Sequence, residues 1–203
     1  EAIRLWHKMI VKFSLVVIPF TIYSIFSAEE LITLLYTEEY IEAAFLYQLF
    51  LVTFFMQMLS RGIILSSFGY TKYIFKVKLI STLFTIIISF ALIPKFGVLG
   101  AAISYVISFY FGGFLELIKA KSILTLKVKN WFPYQDILKI FLVAIVSFLI
   151  VLPFKFFTIN KILFLVSTCI IFFIMCVFGL LYFKQISKDK LIFVIKKYFK
   201  IKE

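Results

Sequence analysis

The chain has 203 residues, 64% of them hydrophobic and 28 of them phenylalanine, with a formal net charge of +12 and a mean hydropathy of +1.10. Soluble domains are roughly 45–50% apolar, and a chain of this size cannot hide the excess in a soluble core, so the composition excludes an ordinary soluble domain and points to a membrane. The basic charge is not gathered into a polar domain, as nucleic-acid binding would require; lysines stand at the ends of apolar runs, where membrane proteins anchor themselves.

Six apolar runs can be read in order, at 13–28, 43–60, 79–94, 96–115, 140–154 and 162–183. A membrane-crossing helix takes about 20 apolar residues, with a range of about 17–25. The shorter runs reach that length through flanking lysines, whose stems lie along the apolar surface while the ammonium stays in the headgroups. The sequence therefore predicts an all-α integral membrane fold of about six transmembrane helices. The approach to the first run carries Arg4, His7, Lys8 and Lys12, and the chain opens at Glu1 without a methionine. It reads as part of a longer protein.

Charge sets the expected orientation. Every lysine and arginine except Lys95, Lys155 and Lys161 falls on one side of the six predicted spans. That side is expected to be cytoplasmic, with both ends of this chain there. The first link on the opposite side holds Glu29, Glu30, Glu38, Glu39 and Glu42. Within it Leu31, Ile32, Leu34 and Leu35 recur at near-helical spacing behind two glutamates suited to a helix N-terminus, which predicts a short interfacial helix. At the far end, Leu191, Val194, Ile195 and Tyr198 share a face opposite Lys190, Lys196, Lys197 and Lys200. This predicts an amphipathic basic tail at 188–203, suited to an anionic leaflet. The long polar link after the fourth run divides a four-helix part, 1–119, from a terminal hairpin, 120–187.

Few residues offer chemistry. A phosphate-binding GxxxxGK[ST] loop is absent, and the single histidine gives a metal site or a catalytic triad almost nothing to draw on. Cys169 and Cys176, seven apart in one apolar run, read as packing residues. The expectation is a protein that is not an enzyme and uses no metal or cofactor. The polar groups inside the spans are the remaining candidates. Gln57 and Arg61, four apart, share a helix face. Arg61 either snorkels to the headgroups or, with Gln57 and Lys78, lines a cavity that meets an anionic group. Gly100, Ser104, Ser108 and Gly112 fall four apart, a stripe that lets helices approach closely and reads as a packing seam. Glu116 continues the stripe and either ends the helix plainly or pairs with Lys119 or Lys78.

Three segments in succession carry a family resemblance. They are VVIPFTIYSIFSAEELITLLYTEEYIEAA at 16–44, IILSSFGYTK at 63–72, and ALIPKFGVLGAAISYVIS at 91–108. In this order the chain resembles the C-terminal part of polysaccharide biosynthesis proteins, the Wzx-type oligosaccharide flippases of the multidrug/oligosaccharidyl-lipid/polysaccharide exporter superfamily. The family often has glycine where Thr37 stands. The resemblance covers about the first 110 residues. It implies a two-lobed transporter of 12–14 helices in the cell membrane, of which this chain supplies the last six. It also implies movement of a polyprenyl-linked oligosaccharide, such as an O-antigen or capsule precursor, across the membrane by alternating access. The partners implied are that lipid-linked substrate, membrane lipids and the preceding part of the same protein. A drug or small-molecule exporter of the same superfamily is the alternative, with a membrane-embedded glycosyl- or acyltransferase behind it.

Overall fold

A computed structural model of the chain describes residues 2–59, 61–124, 132–153 and 161–183, all of them helical or in short links. The helices are α1 (Ala2–Phe26), α2 (Ala28–Leu35), α3 (Ala43–Gln57), α4 (Arg61–Ser67), α5 (Thr71–Ile123), α6 (Tyr134–Val151) and α7 (Lys161–Tyr182), with a 3₁₀ turn at Glu38–Tyr40. Five helical segments are long and apolar enough to cross a membrane: Ile3–Phe26, Ala43–Ser67, Thr71–Ile123, Tyr134–Val151 and Ile162–Tyr182. Helix is what such runs must form in hydrocarbon, because every backbone N–H and C=O has to find its partner within the segment.

The 53 residues of α5 would extend about 80 Å if straight, against a bilayer core of about 30 Å. They do not run straight. Gly97 leaves helical geometry at φ 55° and ψ −132°, a left-handed conformation that a Cβ would strain. The contacts then pair the two arms in reverse order. Phe84 meets Phe111 with ring centroids 4.5 Å apart, and the Tyr73 hydroxyl donates to the Leu115 carbonyl at 3.2 Å. Thus α5 is a hairpin that holds the third and fourth apolar runs, with arms 71–96 and 98–123. The turn ahead of Gly97 stays helical through Pro94.

The chain forms two compact units, Glu1–Pro133 and Tyr134–Glu203. The expected boundary after Lys119 falls inside α5, which continues to Ile123. The helix runs on because Ala120 and Leu124 are still buried apolar contacts and the Leu124 N–H bonds back to Ala120.

In the first unit α3 packs against α1, α2 and α5, and α4 packs against α5. Helix α1 lies antiparallel to α3. Trp6 Nε1 donates to the Leu59 carbonyl at 3.0 Å, and Gln48 Nε2 donates to the Ile25 carbonyl at 2.9 Å. Helix α1 continues through Pro19 to Phe26. The short helix predicted after it is α2, with Glu29 and Glu30 in its first turn and Ala28 and Ile32 buried against Ala44. Its Leu34 and Leu35 stay exposed. Thr37, which follows its C-cap Tyr36 and opens the 3₁₀ turn, has φ 145°, a conformation glycine adopts freely and a β-branched residue does not.

Two caps locate the residues that matter most. Helix α3 stops at Gln57, and α4 starts again at Arg61. Helix α4 ends on Gly69, at φ 77°, with Tyr70 N–H bonding Leu65 O at 2.8 Å and Gly69 N–H bonding Ser66 O at 3.0 Å. This is a Schellman ending, in which the left-handed glycine lets the chain turn and satisfies the last carbonyls. It explains the glycine of the segment 63–72 and delivers the chain into α5.

In the second unit α6 and α7 pack against each other. Cys176 is buried and Cys169 only partly so, both as free thiols. The expected tail at 188–203 lies outside the described residues.

Candidate functional site

Three charged side chains meet at the end of the α5 hairpin away from Gly97. Arg61 stands on the first turn of α4, Lys78 on the first arm of α5, and Glu116 on the second arm. Arg61 Nε lies 2.8 Å from Glu116 Oε2, and Lys78 Nζ lies 3.6 Å from Glu116 Oε1. Nε meets the carboxylate as an ion pair, not as an aligned hydrogen bond, while Arg61 Nη1 donates to the Met56 carbonyl.

Burial separates the two cations. The side chains of Arg61 and Glu116 are 6% and 3% exposed, and that of Lys78 is 58% exposed. Arg61 therefore does not snorkel. A guanidinium buried among apolar helices persists only with its charge compensated, and Glu116 supplies the compensation. The cluster carries one net positive charge, and its accessible part is the Lys78 ammonium. Phe109 lies beneath both cations, its ring centroid 5.4 Å from Arg61 Cζ and 5.9 Å from Lys78 Nζ, so its π face adds to their stabilisation.

Local backbone chemistry makes room for this cluster. A Cβ on Gly113 would sit 3.1 Å from the Arg61 guanidinium carbon and 2.8 Å from Met56 Cγ. Glycine at 113 is thus what lets Arg61 lie against the second arm.

The cluster opens into a cleft of about 620 Å³ lined by Gln57, Arg61, Lys78, Phe109 and Glu116 together with Phe13 and Ser66. A second, smaller groove of about 250 Å³ runs between the arms of α5 and shares Lys78 and Phe109 with the cleft. Ser81, Thr82, Thr85 and Ser108 line it. Such an arrangement can hold an anionic group at Lys78 and polar, hydroxyl-bearing groups beside it. Among the described residues no cluster of histidine, cysteine, aspartate or glutamate is suited to a metal ion.

The candidates named from sequence are placed as follows. Gln57, Arg61 and Lys78 line one cleft. Gln57 ends α3 and Arg61 begins α4, and the two residues differ in exposure: Gln57 is exposed and Arg61 buried. Gly100, Ser104, Ser108 and Gly112 are all buried. Gly112 lies against Ser81 of the opposite arm, and Gly100 against the Leu92 backbone just across the turn. Glu116 pairs with Arg61, a partner the sequence reading did not name, and with Lys78, one it did. Lys119 lies elsewhere, with its ammonium 4.8 Å from the Tyr70 ring centroid and 5.7 Å from that of Tyr73.

Sequence reading missed Phe109, Gly113 and the Arg61–Glu116 pair. A signal for the pair existed: Glu116 is the only acidic residue between Glu42 and Asp136, so a buried arginine in that stretch has one nearby carboxylate to choose. Gly113 escaped because it stands one residue off the four-residue stripe. Compared with protein-family models, curated proteins and solved structures, the chain matches none.

Proposed function

We propose that the full-length protein flips a polyprenyl-linked oligosaccharide across the cell membrane for surface polysaccharide assembly. The observation that carries this reading is the net positive Arg61–Glu116–Lys78 cluster opening into a cleft among apolar helices. A lipid-borne diphosphate needs a cation at membrane depth, where isolated charge is costly. Hydroxyls beside that cation suit the sugar it carries. The resemblance of the segments 16–44, 63–72 and 91–108 to the oligosaccharide flippases supports the same reading. In it the lysine-rich side is cytoplasmic, the Gly97 turn lies outside, and two lobes rock about a central cavity, driven by an ion gradient or by substrate flux.

The test is Lys78→Gln in the full-length protein. Lys78 is exposed and carries no fold that its loss would collapse. Losing a charge-assisted contact worth about 1.5–3 kcal/mol corresponds to a loss of affinity of about 10- to 150-fold, and export is expected to fall with it. Lipid-linked glycan should accumulate on the cytoplasmic face at unchanged protein level. Undiminished export would falsify the role of this cleft. Efflux of a small-molecule drug in place of the glycan would move the protein to the exporter alternative.

A further inference from the structure

We infer that the Glu116 carboxylate occupies the anion site itself, as an internal stand-in that the diphosphate of the ligand must displace. The inference rests on the reading above only in taking the ligand's contacting group to be a diphosphate.

Three observations converge on this exchange. The strong cation of the cleft, Arg61, has its guanidinium turned onto Glu116 at 2.8 Å and its side chain only 6% exposed, so an incoming anion finds its charge already compensated. The two partners belong to different elements, α4 and the second arm of α5, so opening the pair removes a charged tie between two helices. Lys78, on the remaining arm, is exposed and holds the second carboxylate oxygen loosely at 3.6 Å. It is the group an anion meets first.

The carboxylate presents two anionic oxygens to two cations, Oε2 to Arg61 and Oε1 to Lys78. A phosphate group presents the same pattern with a third oxygen and more charge, so it can take over both partners at once. The exchange has a built-in order. Lys78 captures the anion in the open cleft, the anion competes for Arg61, and Glu116 is released. A freed carboxylate buried among apolar helices is costly, so release drives the second arm to move until Glu116 meets water or another cation. Ligand binding is in this way coupled to separation of α4 from the hairpin, and when the ligand leaves, Glu116 closes the site again. An empty site then never leaves Arg61 uncompensated.

Any residue whose role is only to brace the fold would weaken binding when altered. A stand-in does the opposite, and that sign is the test. The full-length protein in nanodiscs of neutral lipid is titrated with inorganic pyrophosphate by calorimetry, with Lys95→Gln, on the exposed hairpin turn, as the control for loss of one charge. Glu116→Gln is expected to bind pyrophosphate at least about 10-fold more tightly than the unaltered protein while exporting glycan more slowly, because bound anion is no longer expelled. If Glu116→Gln fails to fold, Glu116→Asp, which keeps the charge but withdraws it by one methylene, is expected to tighten binding about 3-fold. Unchanged or weaker binding in both variants, with Lys78→Gln weaker still, would overturn the stand-in and leave the anion site in place. Absence of pyrophosphate binding in every variant, Glu116→Gln included, would overturn the anion site and the inference with it. Nanodiscs doped with a prenyl diphosphate lipid complete the experiment: blocked pyrophosphate binding there supports a lipid-borne occupant.

Discussion

The chain contains two antiparallel helical hairpins built on one packing rule and put to different use. In the α6–α7 hairpin, Gly179 lies against Val143, where an added Cβ would come within 2.6 Å of Cγ1, and Ser147 hydrogen-bonds Cys176 one turn away. In the α5 hairpin, Gly112 lies against Ser81 and Gly100 against the Leu92 backbone. Both bring helices close through small residues, as packing in lipid requires when no hydrophobic effect drives helix against helix. Of the two hairpins, among the described residues, only α5 carries a buried charged residue, Glu116, and it meets Arg61 of α4. Close packing and the charged cleft are thus separable features. The seam holds the hairpin together, and Glu116 at its end is an addition with its own cost and its own partner.

The comparison breaks hardest at Glu116. Glu116→Ala leaves Arg61 buried with its charge uncompensated, and removing one member of a buried pair costs about 3–5 kcal/mol. Chemical denaturation of the purified full-length protein should show a loss of that size, whereas Ser147→Ala in the other hairpin should cost only about 1 kcal/mol. Equal losses would mean that the charged cluster is no more demanding than an ordinary polar contact.

The seams come next. At Gly100 an added methyl group meets the Leu92 carbonyl carbon at 2.6 Å and the Ile93 nitrogen at 2.9 Å, backbone atoms that cannot rotate away. At Gly179 it meets a valine side chain. Overpacking costs about 1–3 kcal/mol, and Gly100→Ala is expected at the upper end of that range and Gly179→Ala at the lower. Thermal unfolding of the two variants side by side, followed by circular dichroism, would check the order. A reversed order would place the tighter seam in α6–α7.

The smallest effect lies outside both hairpins. Thr37 holds φ 145°, at a strain of about 1–3 kcal/mol, and glycine there gives back about 0.5–1 kcal/mol in chain entropy. Thr37→Gly should therefore raise stability by about 1 kcal/mol, read by thermal unfolding. A loss of stability would show that the threonine side chain makes contacts worth more than the strain.

Much of the architecture was legible in the residues. The apolar runs had to be helices, and the acidic pair Glu29 and Glu30 marked the start of α2. The four-residue spacing of Gly100, Ser104, Ser108 and Gly112 was enough to propose a close approach, although it could not say to what. Helix α5 illustrates why. Nothing local distinguishes a Gly97 that merely bends a long helix from one that folds it back, and the reverse pairing of Phe84 with Phe111 is a tertiary fact.

What the sequence by itself determined is set by short-range physics. Hydrocarbon demands internal backbone hydrogen bonding, so composition and run length yield the helices, and glycine's lack of a Cβ yields the turns at Gly69 and Gly97. What only the tertiary structure decided is the fate of the charges. Arg61 and Glu116 are 55 positions apart by number, and no periodicity links them. Whether an arginine near a span's end reaches out to the headgroups or turns inward depends on whether a carboxylate waits within about 4 Å on another helix, and on whether a glycine such as Gly113 leaves room for the guanidinium. Those are conditions of packing, and they turned an arginine that could have snorkelled into the buried half of a charged cleft.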